Sequence, residues 1–312
     1  MPARPIYRPH DGKPRAIFAA WSCSDAYPPP PNEPTVPHAD PTFVCTTCGV
    51  QYAPAPEPPA ACVICTDERQ YVPGTGQRWT TFAQLPRGHR NAVQQLEPQL
   101  LGIGTTPAFG IGQRALLLRT PAGNVLWDCI SMLDDATVEI ITALGGLHAI
   151  AISHPHYYAT MVEWSRAFGD VPVHLHAADR AHVMRPDAAL HFWEGSQLPL
   201  LPGVQLVQLG GHFAGGTVLH WAGGAEGRGA LLTGDIIQVI PDRRYVGFMR
   251  SYPNFIPLPP QEVERMAQVA HGLPFDRLSG AWWDAHIERD AHAVVQRSAA
   301  RHAAWCRGMP EP

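Results

Sequence analysis

Apolar and polar positions follow two periods along this chain, and the switches between them outline its elements. Two short apolar runs, "RALLLRT" (114–120) and "VLWDC" (125–129), flank the turn "PAGN" and predict a β-hairpin. The next stretch, "DDATVEIITALGG" (134–146), opens on acidic residues, spaces its apolar residues at helical intervals and closes on two glycines, which predicts a helix. "LHAIAIS" (147–153) then reads as a strand, "YATMVEWSRAFG" (158–169) as a helix, "VPVHLHA" (171–177) as a strand and "ADRAHVMR" (178–185) as a short helix. Further on, "VQLVQLGGH", "GTVLHWA" and "GALLTGDII" are short strands joined by small turns. Helices are expected in "PPQEVERMAQVAHGL" and "IERDAHAVVQRSAARHAAWC", flanking a last strand in "FDRLSGAWW". Two halves that each mix strands with outer helices predict an α/β domain of sheets sandwiched between helices.

This domain is expected over residues 101–312. Before it, residues 1–41 are rich in proline ("PPPPNEP") and carry no sustained apolar period, so an extended arm is expected there. Residues 42–72 hold two cysteine pairs, and 73–100 read as a polar connector with one helix around Arg90 to Leu100.

Composition narrows the function classes. With 16% charged residues, 45% hydrophobic residues and a formal net charge of −4, nothing points to nucleic acid or a membrane surface. No apolar run reaches the roughly 18–20 residues that span a bilayer. Lys13 and Arg15 before "AIFAAWSC" only faintly imitate a secretory signal, so a cytoplasmic protein is expected. Seven cysteines, three of them scattered (Cys23, Cys129, Cys306), argue against a disulfide framework.

The other four make a metal motif. Cys45 and Cys48, then thirteen residues, then Cys62 and Cys65, form two CxxC knuckles that can complete a tetrahedral S4 shell. A structural zinc ribbon is the expected reading, and iron also fits S4 chemistry. A closed shell has no open position, so no catalysis is assigned to it.

A second set of ligands sits at strand ends. His154 and His156 leave the strand 147–153, His212 follows "LVQLGG", and Asp235 ends "ALLTG". Three histidines and an aspartate in such places would form an open N3O zinc site with room for water. On "NVLWDC" around Asp128, "ISHPHYYATM", "GGHFAGGTVLHW" and "LLTGDI", the chain resembles the metallo-β-lactamase superfamily over roughly residues 100–290. The resemblance implies an αββα sandwich, here with a small amino-terminal zinc-knuckle module. It also implies a hydrolase using one or two metal ions.

The departure from the family pattern is local. In the family's HxHxDH signature the aspartate and last histidine serve a second metal, and here those places hold Tyr158 and Ala159. A mononuclear zinc centre on His154, His156 and His212 is therefore expected, with Asp235 as ligand or water partner. The cofactors expected are two Zn²⁺, one catalytic and one structural. The reaction expected is attack by a metal-bound hydroxide on a small ester, lactone, thioester or amide-like substrate. Asp235, Tyr157 and Tyr158 are the catalytic candidates for proton handling, and Asp128 is expected to organise the loops beneath the site. Trp282, Trp283 and His286 are the substrate-site candidates, with a ligand role as a second reading of His286 and core packing as that of one tryptophan. The pair His174 and His176 is expected to be structural. Two other classes are carried along: a non-catalytic metal-containing binding module, and an iron redox protein. Partners expected are a small-molecule substrate and a second copy in a homodimer.

Overall fold

The computed structural model describes residues 40–309. The expected arm and Cys23 fall almost wholly or wholly outside the described residues. Two short strands open it, β1 (Phe43–Cys45) and β2 (Trp79–Thr81), paired antiparallel. Then come β3 (Arg90–Glu97), β4 (Leu100–Thr106), β5 (Arg114–Thr120), β6 (Gly123–Trp127), β7 (Ala149–Ala151), β8 (Val173–His176) and β9 (Leu190–Trp193), which form one seven-stranded sheet in that order. A second sheet takes β10 (Gln197–Leu201), β11 (Val204–Gln208), β12 (Thr217–Trp221) and β13 (Ala230–Gly234). Two small ribbons follow, β14 (Gln238–Val239) with β15 (Val246–Gly247) and β16 (Met249–Ser251) with β17 (Ile256–Pro257). The last strands, β18 (Arg277–Gly280) and β19 (His286–Ile287), complete the second sheet, β18 parallel to β13.

Alternation along the strands explains the layering. Leu116 and Leu118 face Leu206, Leu219 and Leu232 between the sheets, while Leu117 faces the other way, toward the helices Asp135–Ala143 and Met161–Ala167. Val207, Val218 and Leu231 likewise face outward, against the helices Pro260–His271 and Ala291–Cys306. The result is the expected αββα sandwich. No described helix is long and apolar enough to cross a membrane.

One expected element differs. Residues 90–97, read as a helix in the connector, form β3, the edge of the first sheet, paired with β4 from Arg90↔Thr106 to Glu97↔Leu100 with a register shift between Gln95 and Glu97. Gln, Leu and Glu favour a helix locally, but the pairing with β4 and the Asn91 side chain, which donates to Met132 O and Thr137 Oγ1, override that preference. The sheet thus begins inside the expected connector, and β2 extends the cysteine module beyond residue 72.

That module is seated on the sandwich by specific contacts. Gln51 N donates to Ala159 O (2.9 Å), Ala53 N to Met184 O (3.1 Å) and Ser131 Oγ to Gly49 O (2.7 Å). Arg185, buried, pairs with Glu163 and with Gln51. Gly49 has φ +82°, and a Cβ there would stand 2.3 Å from Ser131 Oγ, so the close approach requires glycine.

Candidate metal centre

The four cysteines meet as their spacing predicts. Cys45 and Cys65 sulfurs lie 3.6 Å apart, as do those of Cys48 and Cys62, and all four sulfurs lie within 4.8 Å of one another. Tetrahedral ligation at a metal–sulfur distance of ~2.3 Å asks for sulfurs roughly 3.8 Å apart. All four are buried, around Val50, Tyr52 and Ile64.

A second cluster stands at the carboxyl ends of the strands. The one-turn helix Pro155–Tyr157 follows β7 and carries His156, with His154 capping it in an extended conformation. Pro155 suits the first position of such a turn because its missing N–H would have had no partner there. His212 lies beyond the end of β11, and Asp235 follows β13. Their ligand atoms also fall within 4.8 Å of one another. His156 Nδ1 is 3.2 Å from His212 Nε2, and His154 Nε2 is 3.1 Å from Asp235 Oδ1. Metal–nitrogen distances of ~2.0 Å with tetrahedral angles ask for about 3.3 Å.

The ring orientations are set from behind. His212 Nδ1 is 3.0 Å from Met249 O; a carbonyl can only accept, so Nδ1 carries the proton and Nε2 presents its lone pair to the cluster. His154 Nδ1 is 2.9 Å from Ser153 Oγ, and Ser153 N donates to Asp128 Oδ1 at 2.8 Å, so Asp128 does organise the loop beneath the site. His154 Nε2 and Asp235 Oδ1 are buried without a hydrogen-bond partner, an arrangement that suits a cation between them. The residues present therefore fit a zinc ion with three imidazoles and one carboxylate.

Gly234, beside Asp235, has φ +55°, and a Cβ there would meet Ser153 Oγ at 2.7 Å and Asp128 Oδ2 at 3.1 Å. Gly234→Ala is expected to cost about 2 kcal/mol of stability and to loosen the support behind His154. Urea unfolding and zinc titration check it; an unchanged midpoint would contradict the close packing.

Burial pushes His212 down to about 4 and His154 and His156 well below the usual histidine range, so all three are neutral at pH 7 and ready to bind a metal. Burial first and Asp128 second push Asp235 up to about 7, and burial raises Asp128 to about 7 as well. In chelator-treated protein, the unfolded histidines take up protons below about pH 6.5 while the folded ones refuse them, so this contribution to stability is lost toward pH 4. Burial lowers His174 to about 4 and adds to the loss, whereas the two carboxyls, protonated when folded up to about 7, act in the opposite direction. Burial raises the Asp179 carboxyl too, so four histidines stand against three carboxyls, and the urea midpoint of the metal-free protein is expected to fall between pH 6.5 and 4.5.

The other sequence candidates separate. Tyr157 is fully buried, its ring 4.4 Å from that of His154, and burial first, then the Asp235 and Asp128 carboxyls, push its phenol up and keep it neutral. Tyr158, also buried, packs in the core with the helix Met161–Ala167 and does not line the cleft. Ala159 likewise sits in that core, and its carbonyl accepts from the cysteine module. Trp282 lines the cleft. Trp283 instead lies over Gly102 and Gly104 with the Arg114 guanidinium 5.5 Å from its ring, outside the cleft. His286 is on β19, with Nε2 3.2 Å from Glu288 and 3.3 Å from Arg243, and lines a different hollow with Glu97 and Arg277. His176 Nε2 is 3.1 Å from Gly195 O, as a structural histidine would be.

The cleft above the histidines measures about 180 Å³ and is lined by His156, His212 and Asp235 at its floor. Its walls are residues sequence reasoning missed: Thr47, Arg69, Gln70 and Tyr71 from the cysteine module, Ile111, and Tyr252 with Pro253. Tyr252 also donates to Asp235 O at 2.8 Å. The one sequence signal for the module's share is that Arg69 to Tyr71 follow Cys65 closely.

No protein-family model matches the chain. It is 49% identical over 264 residues to YmaE, an uncharacterised protein of Bacillus subtilis strain 168, covering 84% of this chain and 96% of YmaE. Among solved structures it is similar to the metallo-β-lactamase DIM-1, with a TM-score of 0.53 at 10% identity over 69% of this chain and 98% of that one. It is similar to VMB-1 to the same degree, with a TM-score of 0.53 at 10% identity over 70% and 98%. Identity at that level speaks to the fold, and the 49% identity speaks to the family: this chain belongs with YmaE of Bacillus subtilis and has the metallo-β-lactamase fold.

Proposed function

We propose that the protein is a metal-dependent hydrolase of a small ester, lactone, thioester or amide-like substrate, working at one zinc ion held by His154, His156 and His212 with Asp235 beside them. The observation that carries this reading is the convergence of three neutral imidazoles and a carboxylate in one cluster, of which His156, His212 and Asp235 line an open cleft. A zinc ion bound there supplies Lewis acidity and lowers the pKa of water to about 7. Asp235 is the carboxylate that lines the cleft and is the group placed to take and return a proton, whereas Tyr157, buried against the His154 ring, does not reach the cleft. Ile111, Tyr71, Tyr252 and Trp282 offer apolar and aromatic walls for the body of the substrate. The cysteine site is closed and is read as structural, with zinc rather than iron. A cytoplasmic setting keeps its thiols reduced. A homodimer remains part of the proposal, and nucleic acid does not.

One observation favours a different reading. Tyr158 and Ala159, at the places that serve a second metal in the family signature, are packed in the core, as an eroded site kept only for binding would have them. Metal analysis together with a hydrolysis screen of lactones, esters, thioesters and amides separates the two. Two zinc ions per chain with turnover of at least one class supports the hydrolase; two ions with no turnover replaces it with a metal-containing binding module.

A further inference from the structure

The segment that follows Cys65 runs across the histidine cluster, and Arg69 is its anchor. Arg69 Nε donates to the main-chain carbonyl of His212 at 2.8 Å, and its guanidinium lies 4.3 Å from the centre of the Phe213 ring. Its Nη1 donates to both Asp67 oxygens, at 2.9 and 2.7 Å. Strand β16 and the loop after it grip the same segment. Asn254 Nδ2 donates to Glu68 O and Gln70 O, both at 2.9 Å, Ser251 Oγ donates to Arg69 O at 3.1 Å, and Arg250 pairs with Glu68. That strand also supplies Met249 O, which fixes the His212 ring. His212 is therefore held twice, by its ring through Met249 and by its backbone through Arg69. The segment making the second hold leaves Cys65 after a single helical turn, Val63–Thr66, so the thiolate cluster sets where it begins.

We infer that Arg69 is a positioning residue for His212, and that through it filling the four-cysteine site raises the metal affinity of the histidine site. The inference rests on the reading of His154, His156, His212 and Asp235 as a metal centre. A ligand already fixed by its supporting contacts loses little freedom on binding, and removing such support commonly weakens metal binding by about 10- to 100-fold. Binding free energies couple reciprocally, so metal at the histidines must hold the thiolate-bound metal more tightly by the same factor.

Competition of the full-length protein with a chromophoric chelator for zinc reads both sites without any substrate. Arg69→Ala is expected to weaken zinc at the histidine site by about 10- to 100-fold while the cysteine site still fills. Arg69→Lys should fall between, because an ammonium can reach the carbonyl but cannot also fork onto Asp67 and lie flat over Phe213. Asp67→Asn, which loosens the fork and leaves Arg69 in place, should also fall between and serves if Arg69→Ala does not fold. Val204→Ala, in the core between the sheets, is the control for a general loss of stability, and its affinity should stay within twofold of the parent. Affinity within twofold for Arg69→Ala, an equal loss in Val204→Ala, or a parent histidine site that takes up no zinc overturns the inference. A parent that binds two zinc ions and hydrolyses nothing ends the hydrolase reading and leaves the role of Arg69 standing; a hydrolase whose zinc affinity ignores Arg69 does the reverse.

Discussion

His156→Ala is expected to take the protein from two zinc ions per chain to one and to lower kcat/KM for whichever substrate the screen identifies by on the order of 10³-fold or more. Lewis-acid stabilisation is worth several kcal/mol, and each ~1.4 kcal/mol is tenfold in rate. His156 can be lost without harming the scaffold. Its Nδ1 faces only His212 Nε2, and its buried Nε2 has no hydrogen-bond partner. A buried, unsatisfied polar group costs about 1–3 kcal/mol, which offsets the cavity the truncation leaves, so the metal-free variant should melt at nearly the temperature of the metal-free parent. Elemental analysis, initial rates and calorimetry check the three parts. Undiminished turnover with the second ion gone would sink the proposed chemistry, since the reaction would then not need the site.

Cys62→Ser is expected to do more to the fold and, without touching a histidine ligand, comparable harm to the cleft. The small core of the module consists of four cysteines with Val50, Tyr52 and Ile64, too little apolar surface to fold unaided. Tyr52 ties the cluster to the chain, its hydroxyl donating to Cys62 Sγ at 3.4 Å and accepting from Val63 N at 2.7 Å. Structural zinc in small domains contributes about 10–16 kcal/mol of folding free energy, as much as a typical native protein has in total. Loss of one thiolate should therefore unfold the module, uncover Ala159 and its neighbours, and remove Thr47, Arg69, Gln70 and Tyr71 from the cleft. The expected signs are a lower zinc content, a melting temperature depressed by 10 °C or more on the order set by a few kcal/mol, and dye binding to newly exposed apolar surface. An unchanged melting temperature would mean the four sulfurs hold no metal that matters to the fold.

What the sequence made legible was local. Two CxxC knuckles name their ligands within 21 residues, and His154, His156 and Asp235 each follow an apolar run short enough to be recognised as a strand. The sandwich followed from two halves that each mix short apolar strands with outer helices. Residues 90–97 were hidden because "NAVQQLE" has helix-forming residues, and only the partner strand ten or so residues later decides for β3. Tyr158 looked like a candidate because it occupies a family ligand position, yet its ring lies in the core beside the helix Met161–Ala167. The cleft walls were out of reach for a stronger reason. Arg69 acquires its part from His212, 143 residues away, and Asn254 holds Gln70 across 184, and no local pattern encodes such contacts.

These separations have a consequence for how the molecule is made. All four thiolates lie between residues 45 and 65, whereas the histidine site draws on residues 154 to 235 and its walls on residues 47 to 282. Contacts of such long range form late, because the loops they close must be ordered first. A chain synthesised from its amino end has displayed its complete set of thiols, free to capture an ion, before His212 has been added at all. On the proposed reading, the histidine site becomes available to an ion only afterwards, when the second sheet has folded, so the thiolate site is the earlier of the two to be complete.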